Sequence, residues 1–87
     1  MKVKSEYVLK TVGDQFIVVP IGQEAVKFHG MLTLNETGKF LFENLKEEIS
    51  LEDLTKKLVD EYDVSAEVAA ADVLKFVNIL KERNIME

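Results

Sequence analysis

The stretch Leu34-Asn35-Glu36-Thr37-Gly38 divides the chain into two kinds of hydrophobic pattern. Before it, residues 7 to 34 read as strands and turns; after it, residues 36 to 83 read as three helices joined by short connections. Such a switch of period within one short chain points to an α+β fold in which a small sheet precedes a helical layer. Asn35 fits the boundary, because its side-chain oxygen can accept a hydrogen bond from an otherwise unpaired amide of the first helical turn. Glu36 then sits near the positive end of that helix, where a carboxylate is favoured.

In the first half, Tyr7 to Val12 and Gln15 to Pro20 flank Gly13-Asp14, a two-residue connection that makes a tight hairpin because glycine supplies the φ > 0 position. A loop of that length fixes the register. Val12 faces Gln15 and Leu9 faces Val18, so Tyr7, Leu9, Thr11, Phe16, Val18 and Pro20 share one side of the sheet. That set is the more apolar and is expected to face the core. Residues 21 to 30 hold Gly22 and Gly30 and follow neither period, which suits a loop with room for a short helical turn. Met31 to Leu34 reads as a short third strand, with β-branched Thr33 inside it.

The first helix is expected from Glu36 to about Leu45, with Leu41, Phe42 and Leu45 on the same face as Gly38. The glycine therefore points inward, where it would let another backbone approach closely. Phe40 falls on the opposite face and needs a second element or a partner to cover it. Ser50 and Asp53 form an S-x-x-D start for a second helix, Leu51 to about Tyr62, whose stripe is Leu51, Leu54, Leu58 and Tyr62. Asp63-Val64-Ser65 breaks it. Ser65 opens a third helix that runs to about Arg83, with Asn84 as its C-cap and a core stripe of Ala69, Val73, Phe76, Val77 and Leu80. Val68 and Ile79 lie on the far flank of that helix beside Asp72 and Lys75.

The 87 residues suffice for one domain, 1–87, with a single core but little room for a deep enclosed substrate cavity. No cysteine is present, so disulfides, thiolate metal sites and a cysteine nucleophile are excluded, and a reducing cytoplasmic location is expected. Met1 to Glu6 is charged but lacks an apolar region behind it, and no run approaches the roughly 18 apolar residues of a membrane span. His29 is the one histidine, with no cysteine or second histidine to join it in a catalytic or metal site. Ser5, Ser50 and Ser65 are terminal or capping residues, and no G-x-G-x-x-G or P-loop occurs. Catalytic residues, metal ligands and cofactors are therefore all expected to be absent.

Two helices joined by a short turn, preceded by another helix and adjoining a sheet, form a winged-helix-like layout. DNA binding would require basic or amide side chains along the exposed face of the third helix, yet that helix carries Glu67, Asp72, Lys75, Glu82 and Arg83. A net charge of -5 opposes it further. Peptide binding needs no catalytic group, only an open strand edge and flanking side-chain pockets. Met31 to Leu34 is short enough to be such an edge, and Val68 and Ile79 either wall a groove beside it or pack on the sheet.

Leu34-Asn35-Glu36-Thr37-Gly38, Phe40-Leu41-Phe42, Leu54-x3-Leu58, Glu61-Tyr62-Asp63-Val64, Ala71-Asp72-Val73 and Phe76-Val77-x2-Leu80 together resemble the PqqD-like family of RiPP recognition elements. The resemblance covers about residues 7 to 86. It implies a winged-helix-like α+β domain of three antiparallel strands followed by three helices. It also implies a noncatalytic adaptor that binds the leader of a ribosomally made precursor peptide by strand addition and presents it to a maturation enzyme, often a radical SAM protein. Carried onto this chain, the docking strand is Met31, Leu32, Thr33 and Leu34, and the helix wall is drawn from Val68, Asp72, Lys75 and Ile79. The family pattern supports Asp72 directly; the other helix positions rest on the helical wheel. The longer 21 to 30 loop and the lysine on the wall depart from the family's shorter pattern, so pyrroloquinoline quinone synthesis itself is not implied. The alternative reading is a regulatory or scaffold module that offers the same surface to a protein or DNA partner. A homodimer built through Phe40 and the strand edges is also left open.

Overall fold

A computed structural model describes residues 1–26 and 31–87. The elements in chain order are β1 (Tyr7–Val12), β2 (Gln15–Pro20), α1 (Gln23–Val26), β3 (Leu32–Leu34), α2 (Glu36–Asn44), α3 (Leu51–Tyr62) and α4 (Ala66–Glu82). The first, second and third helices expected from sequence are α2, α3 and α4. The single turn α1 is the short helical turn for which the 21 to 30 loop has room. His29 and the rest of that loop beyond Val26 lie outside the described residues.

The sheet is antiparallel in the order β1-β2-β3. The hairpin has the expected register, with Val12 opposite Gln15 and Leu9 opposite Val18. Gly13 has φ 62°, whereas Asp14 is not among the residues with positive φ, the pattern of a type II′ turn. β3 starts at Leu32 rather than Met31, which is 60% exposed and outside the strand. It pairs Leu34 with Phe16 and Leu32 with Val18, which leaves β3 as one edge of the sheet.

Each long helix begins where a side chain accepts from an orphan amide: Asn35 from Gly38 N at 2.8 Å, Ser50 from Asp53 N at 3.0 Å and Ser65 from Val68 N at 3.2 Å. Losing one such cap costs about 1 kcal/mol. The breaks are equally local. Asp63 takes the left-handed conformation at the end of α3, and Asn84 does the same (φ 60°) just beyond α4. Leu41, Phe42, Leu45, Leu54, Leu58, Val73, Val77 and Leu80 are almost wholly buried between the three helices and the inner face of the sheet. Full burial of each contributes about 1.5–3 kcal/mol, the main force holding the layers together.

Phe40 finds its cover within the chain. Its ring meets Tyr62 of α3 edge to face, with centroids 5.6 Å apart and planes at 84°. The terminal segments are also tied down. Val3 bridges Met86, Val3 N donates to Leu45 O at 2.9 Å, and Lys4 N donates to Ile85 O at 2.8 Å. The Met1 ammonium pairs with the Glu48 carboxylate and donates to Ile49 O. Val3, Ile85 and Met86 consequently belong to the core.

Candidate functional site

The hairpin turn determines what the edge of β3 offers. Because the tight turn closes on the pair Val12 and Gln15, these two exchange ladder hydrogen bonds, and the pairing alternates from there. Gln15, Ile17 and Val19 direct their amides to β1, so Phe16 and Val18 direct theirs to β3. Their partners Leu34 and Leu32 are bonded inward. Thr33 is left with its N–H and C=O aimed at the open edge. Side chains alternate in the opposite sense: Leu34 is buried, Leu32 is half-buried against the core, and Thr33 is exposed on the outer face with Ile17 opposite it.

Beside the end of β3, the start of α2 and the middle of α4 enclose a groove of about 300 Å³. Gly38, Leu41, Phe76 and Ile79 make its apolar base, since Gly38 and Leu41 are buried and the other two half-buried. Asp72 and Lys75, both exposed, line its α4 side, with Asn35 and Thr37 across from them. Neither Asp72 nor Lys75 makes an ion pair with another described residue. Seven residues separate Asp72 from Ile79, about 10 Å along the helix axis. Alternate side chains of a strand lie about 7 Å apart, so two consecutive same-face side chains fit that length.

Of the helix residues expected at such a wall, Asp72, Lys75 and Ile79 therefore meet in one groove. Val68 does not. It is 51% exposed and absent from the lining, one turn too far toward the start of α4. A helical wheel assigns an angle but no height, and height separates Val68 from the other three. Phe76, expected in the core stripe, is half-buried against the core and also lines the groove, a place the helical wheel does not give it. The contact at Gly38 also needs correcting. A Cβ there would meet Leu34 Cβ at 3.2 Å, Asn35 Oδ1 at 3.3 Å and Phe76 Cε1 at 3.4 Å, so side chains rather than a backbone pack against it.

Two other depressions are lined differently. One, of about 600 Å³, lies between α2 and α3 and is lined by Glu43, Lys46, Glu47, Glu48, Lys56 and other polar residues, with Ile49 its one apolar member. A smaller one of about 230 Å³ surrounds Tyr62, with Phe16, Lys39 and Phe40. There, partial burial raises the Tyr62 phenol above its ordinary value of 10.0, and the carboxylates of Glu36, Glu61 and Glu43 push in the same direction. Near α1, burial and then Glu24 raise Tyr7, while Lys4, paired with Glu24 at 3.0 Å, opposes the shift. Among the described residues no group of three or more histidines, cysteines or carboxylates is arranged to hold a metal ion, and no helix is long and apolar enough to cross a membrane.

The family description for coenzyme PQQ synthesis protein D (PqqD) matches residues 15–86. No curated protein matches the chain. Among solved structures the chain is similar to TbiB1 in complex with the TbiA(beta) leader peptide, at 20% identity and TM-score 0.78 over 100% of this chain and 95% of that one. It is also similar to lasso peptide synthetase B1 complexed with the leader peptide, at 24% identity and TM-score 0.72 over 98% of this chain and 93% of that one. At these identities the likeness establishes a common fold, a three-stranded antiparallel sheet followed by helices.

Proposed function

The chain belongs to the PqqD family, and from that premise we propose that it is a noncatalytic adaptor that binds the leader of a ribosomally synthesised precursor peptide. The leader adds as a strand beside β3 and is presented to a modifying enzyme, such as a radical SAM maturase. One observation carries the reading: the outward N–H and C=O of Thr33 lie on an open strand edge beside a groove with an apolar base and an unpaired charged rim. Two solved proteins of the same fold hold leader peptides, which supports it.

The energetics require both parts of this surface. Each net hydrogen bond contributes about 0.5–1.5 kcal/mol, and a strand as short as β3 can add only a few. Association itself costs at least about 4 kcal/mol, so edge pairing alone binds weakly and without sequence preference. Side chains entering the groove must supply the remainder and the specificity. In strand addition the leader residue opposite Thr33 points to the outer face, and its two neighbours point toward α4. The exposed face of α4, with Glu67, Asp72 and Glu82 in a chain of net charge -5, disfavours a nucleic acid in this place.

The test uses a synthetic leader from a short precursor gene sought beside the gene for this chain, titrated into labelled protein. Amides of residues 31 to 34 and of α4 should shift. Thr33→Pro removes a donor that faces the open edge, so it should weaken binding by about tenfold while the thermal melt stays near wild type. Leu32→Pro removes a donor bonded to β2 and should lower the melting temperature as well. Wild-type affinity in Thr33→Pro would rule out strand addition at β3.

A further inference from the structure

The sheet has a second edge, β1. Because Val12 and Gln15 exchange ladder hydrogen bonds across the hairpin turn, Lys10 and Val8 also bond to β2, and Leu9 and Thr11 aim their N–H and C=O groups away from it. Tyr7 N is already satisfied by Lys4 O at 3.1 Å. Leu9 and Thr11 find no backbone partner on their outward side among the described residues.

Where β1 begins, a recess of about 340 Å³ opens beside this edge. Val3, Tyr7 and Val8 form its apolar surface, and Lys2, Lys4 and Lys46 surround it with no carboxylate in the lining. The chain has 16 acidic side chains against 11 basic ones, so a cluster of lysines runs against its overall charge. Glu24 engages Lys4 at 3.0 Å, whereas Lys2 and Glu87 are 3.9 Å apart, a loose pairing. Lys46 and, farther along the strand, Lys10 are exposed and pair with no described residue.

Charge decides which strand this edge can take. In the antiparallel self-pairing that joins Leu9 of one copy to Thr11 of another, Lys10 falls opposite Lys10, and like charges directly opposite destabilise a ladder. The edge therefore turns away its own copies. A nucleic acid would meet the lysines but has no peptide groups to offer Leu9 and Thr11, and the net charge of -5 repels it. An extended acidic peptide segment satisfies both features. Its backbone pairs with Leu9 and Thr11, one carboxylate falls opposite Lys10, and another about 10 Å along the strand reaches the recess.

We propose that the β1 edge docks an acidic, extended segment of a second protein. The inference rests on the adaptor reading for the role of that protein, which is the modifying enzyme. The leader on β3 and the enzyme segment on β1 then occupy opposite edges of one sheet, about 19 Å apart at four strand spacings, and do not compete.

A displayed library of random dodecapeptides, selected on wild type and on the double variant Lys10→Glu with Lys46→Glu, tests this. Peptides retained by wild type and lost by the double variant should be enriched about tenfold in aspartate and glutamate over lysine and arginine, and the double variant should prefer basic peptides instead. Titrated into labelled wild type, such an acidic peptide should shift amides of residues 7 to 12 and leave residues 31 to 34 in place. Thr11→Pro removes an outward donor and should lower its affinity about tenfold with little change in the thermal melt. Equal enrichment on both proteins, or shifts confined to residues 31 to 34, would overturn the proposal. So would shifts at Lys2 and Lys46 alone that inorganic phosphate reproduces, the mark of an anion site without strand addition, or tighter binding of duplex DNA than of the peptide. A leader that leaves residues 31 to 34 unmoved would defeat the adaptor reading, whatever binds at β1.

Discussion

On one flank of α2, Phe40 meets Tyr62 edge to face at 5.6 Å, and Lys39 lies over the Phe16 ring at 4.7 Å. On the other flank, Leu41 and Gly38 line the groove against α4, where Asp72 and Lys75 pair with no described residue. The two depressions are similar in size, about 230 and 300 Å³. They differ in how far the chain completes them. Toward α3, aromatic rings face one another and a lysine covers a third ring, so the flank is satisfied from within. Toward α4, an apolar base with an unpaired rim lies beside an open strand edge, which is the arrangement a second chain can complete. Exposed apolar surface therefore indicates a binding face only where it adjoins unspent backbone and charge.

The strongest way to break this division is Phe40→Ala. Truncation removes a partly buried ring and its edge-to-face contact, so we expect a loss of about 2–3 kcal/mol in urea denaturation. Leader affinity, measured where the variant is folded, should stay within about twofold of wild type. A large affinity loss without a stability loss would place Phe40 in the binding face and dissolve the contrast.

Charge reversal probes the opposite flank. Lys75→Glu and Asp72→Lys should each leave stability within about 0.5 kcal/mol, because both side chains are exposed and form no ion pair with another described residue. Leader affinity should change by about fivefold in opposite directions for a charged leader, and the effect should shrink at high salt. Calorimetry at two ionic strengths would check this. Equal insensitivity of affinity to both reversals would leave the groove's rim without a role.

The elements were legible in the sequence where their causes are local. Asn35, Ser50 and Ser65 announce helix starts by chemistry within three residues, and Gly13-Asp14 fixes the hairpin register, whereas the outward aim of Thr33 follows only from the pairing of β3 with β2. Non-local pairings were not legible. The bridge between Val3 and Met86 joins the ends of the chain without periodicity, and nothing local pairs Phe40 with Tyr62, which also belongs to the stripe of α3. The site was half legible for the same reason. Helical spacing gives the side of α4 that carries Asp72, Lys75 and Ile79, but the height of the groove depends on Gly38 and Leu41 of another helix. That is why the helical wheel admits Val68 and gives Phe76 no part in the groove.

The smallest effect tests whether the α3 flank is closed by its ring or by its hydroxyl. Tyr62 donates to Glu36 O at 3.4 Å, a long and partly exposed bond, so Tyr62→Phe should cost no more than about 0.5 kcal/mol near neutral pH. Its phenol is raised above 10.0 in the folded protein, first by burial and then by Glu36, Glu61 and Glu43. The folded state thus favours the protonated form. That stabilisation is fully present below the unfolded value and is lost as pH rises through the folded value, so wild type should weaken only above about pH 10. Tyr62→Phe should remove part of that alkaline loss, leaving the part due to Tyr7, whose phenol is also raised. Denaturant midpoints between pH 8 and 11 would show the two curves converging as pH rises. Parallel curves would mean that neither burial nor the surrounding carboxylates act on the Tyr62 phenol, and that the aromatic contact alone closes this flank.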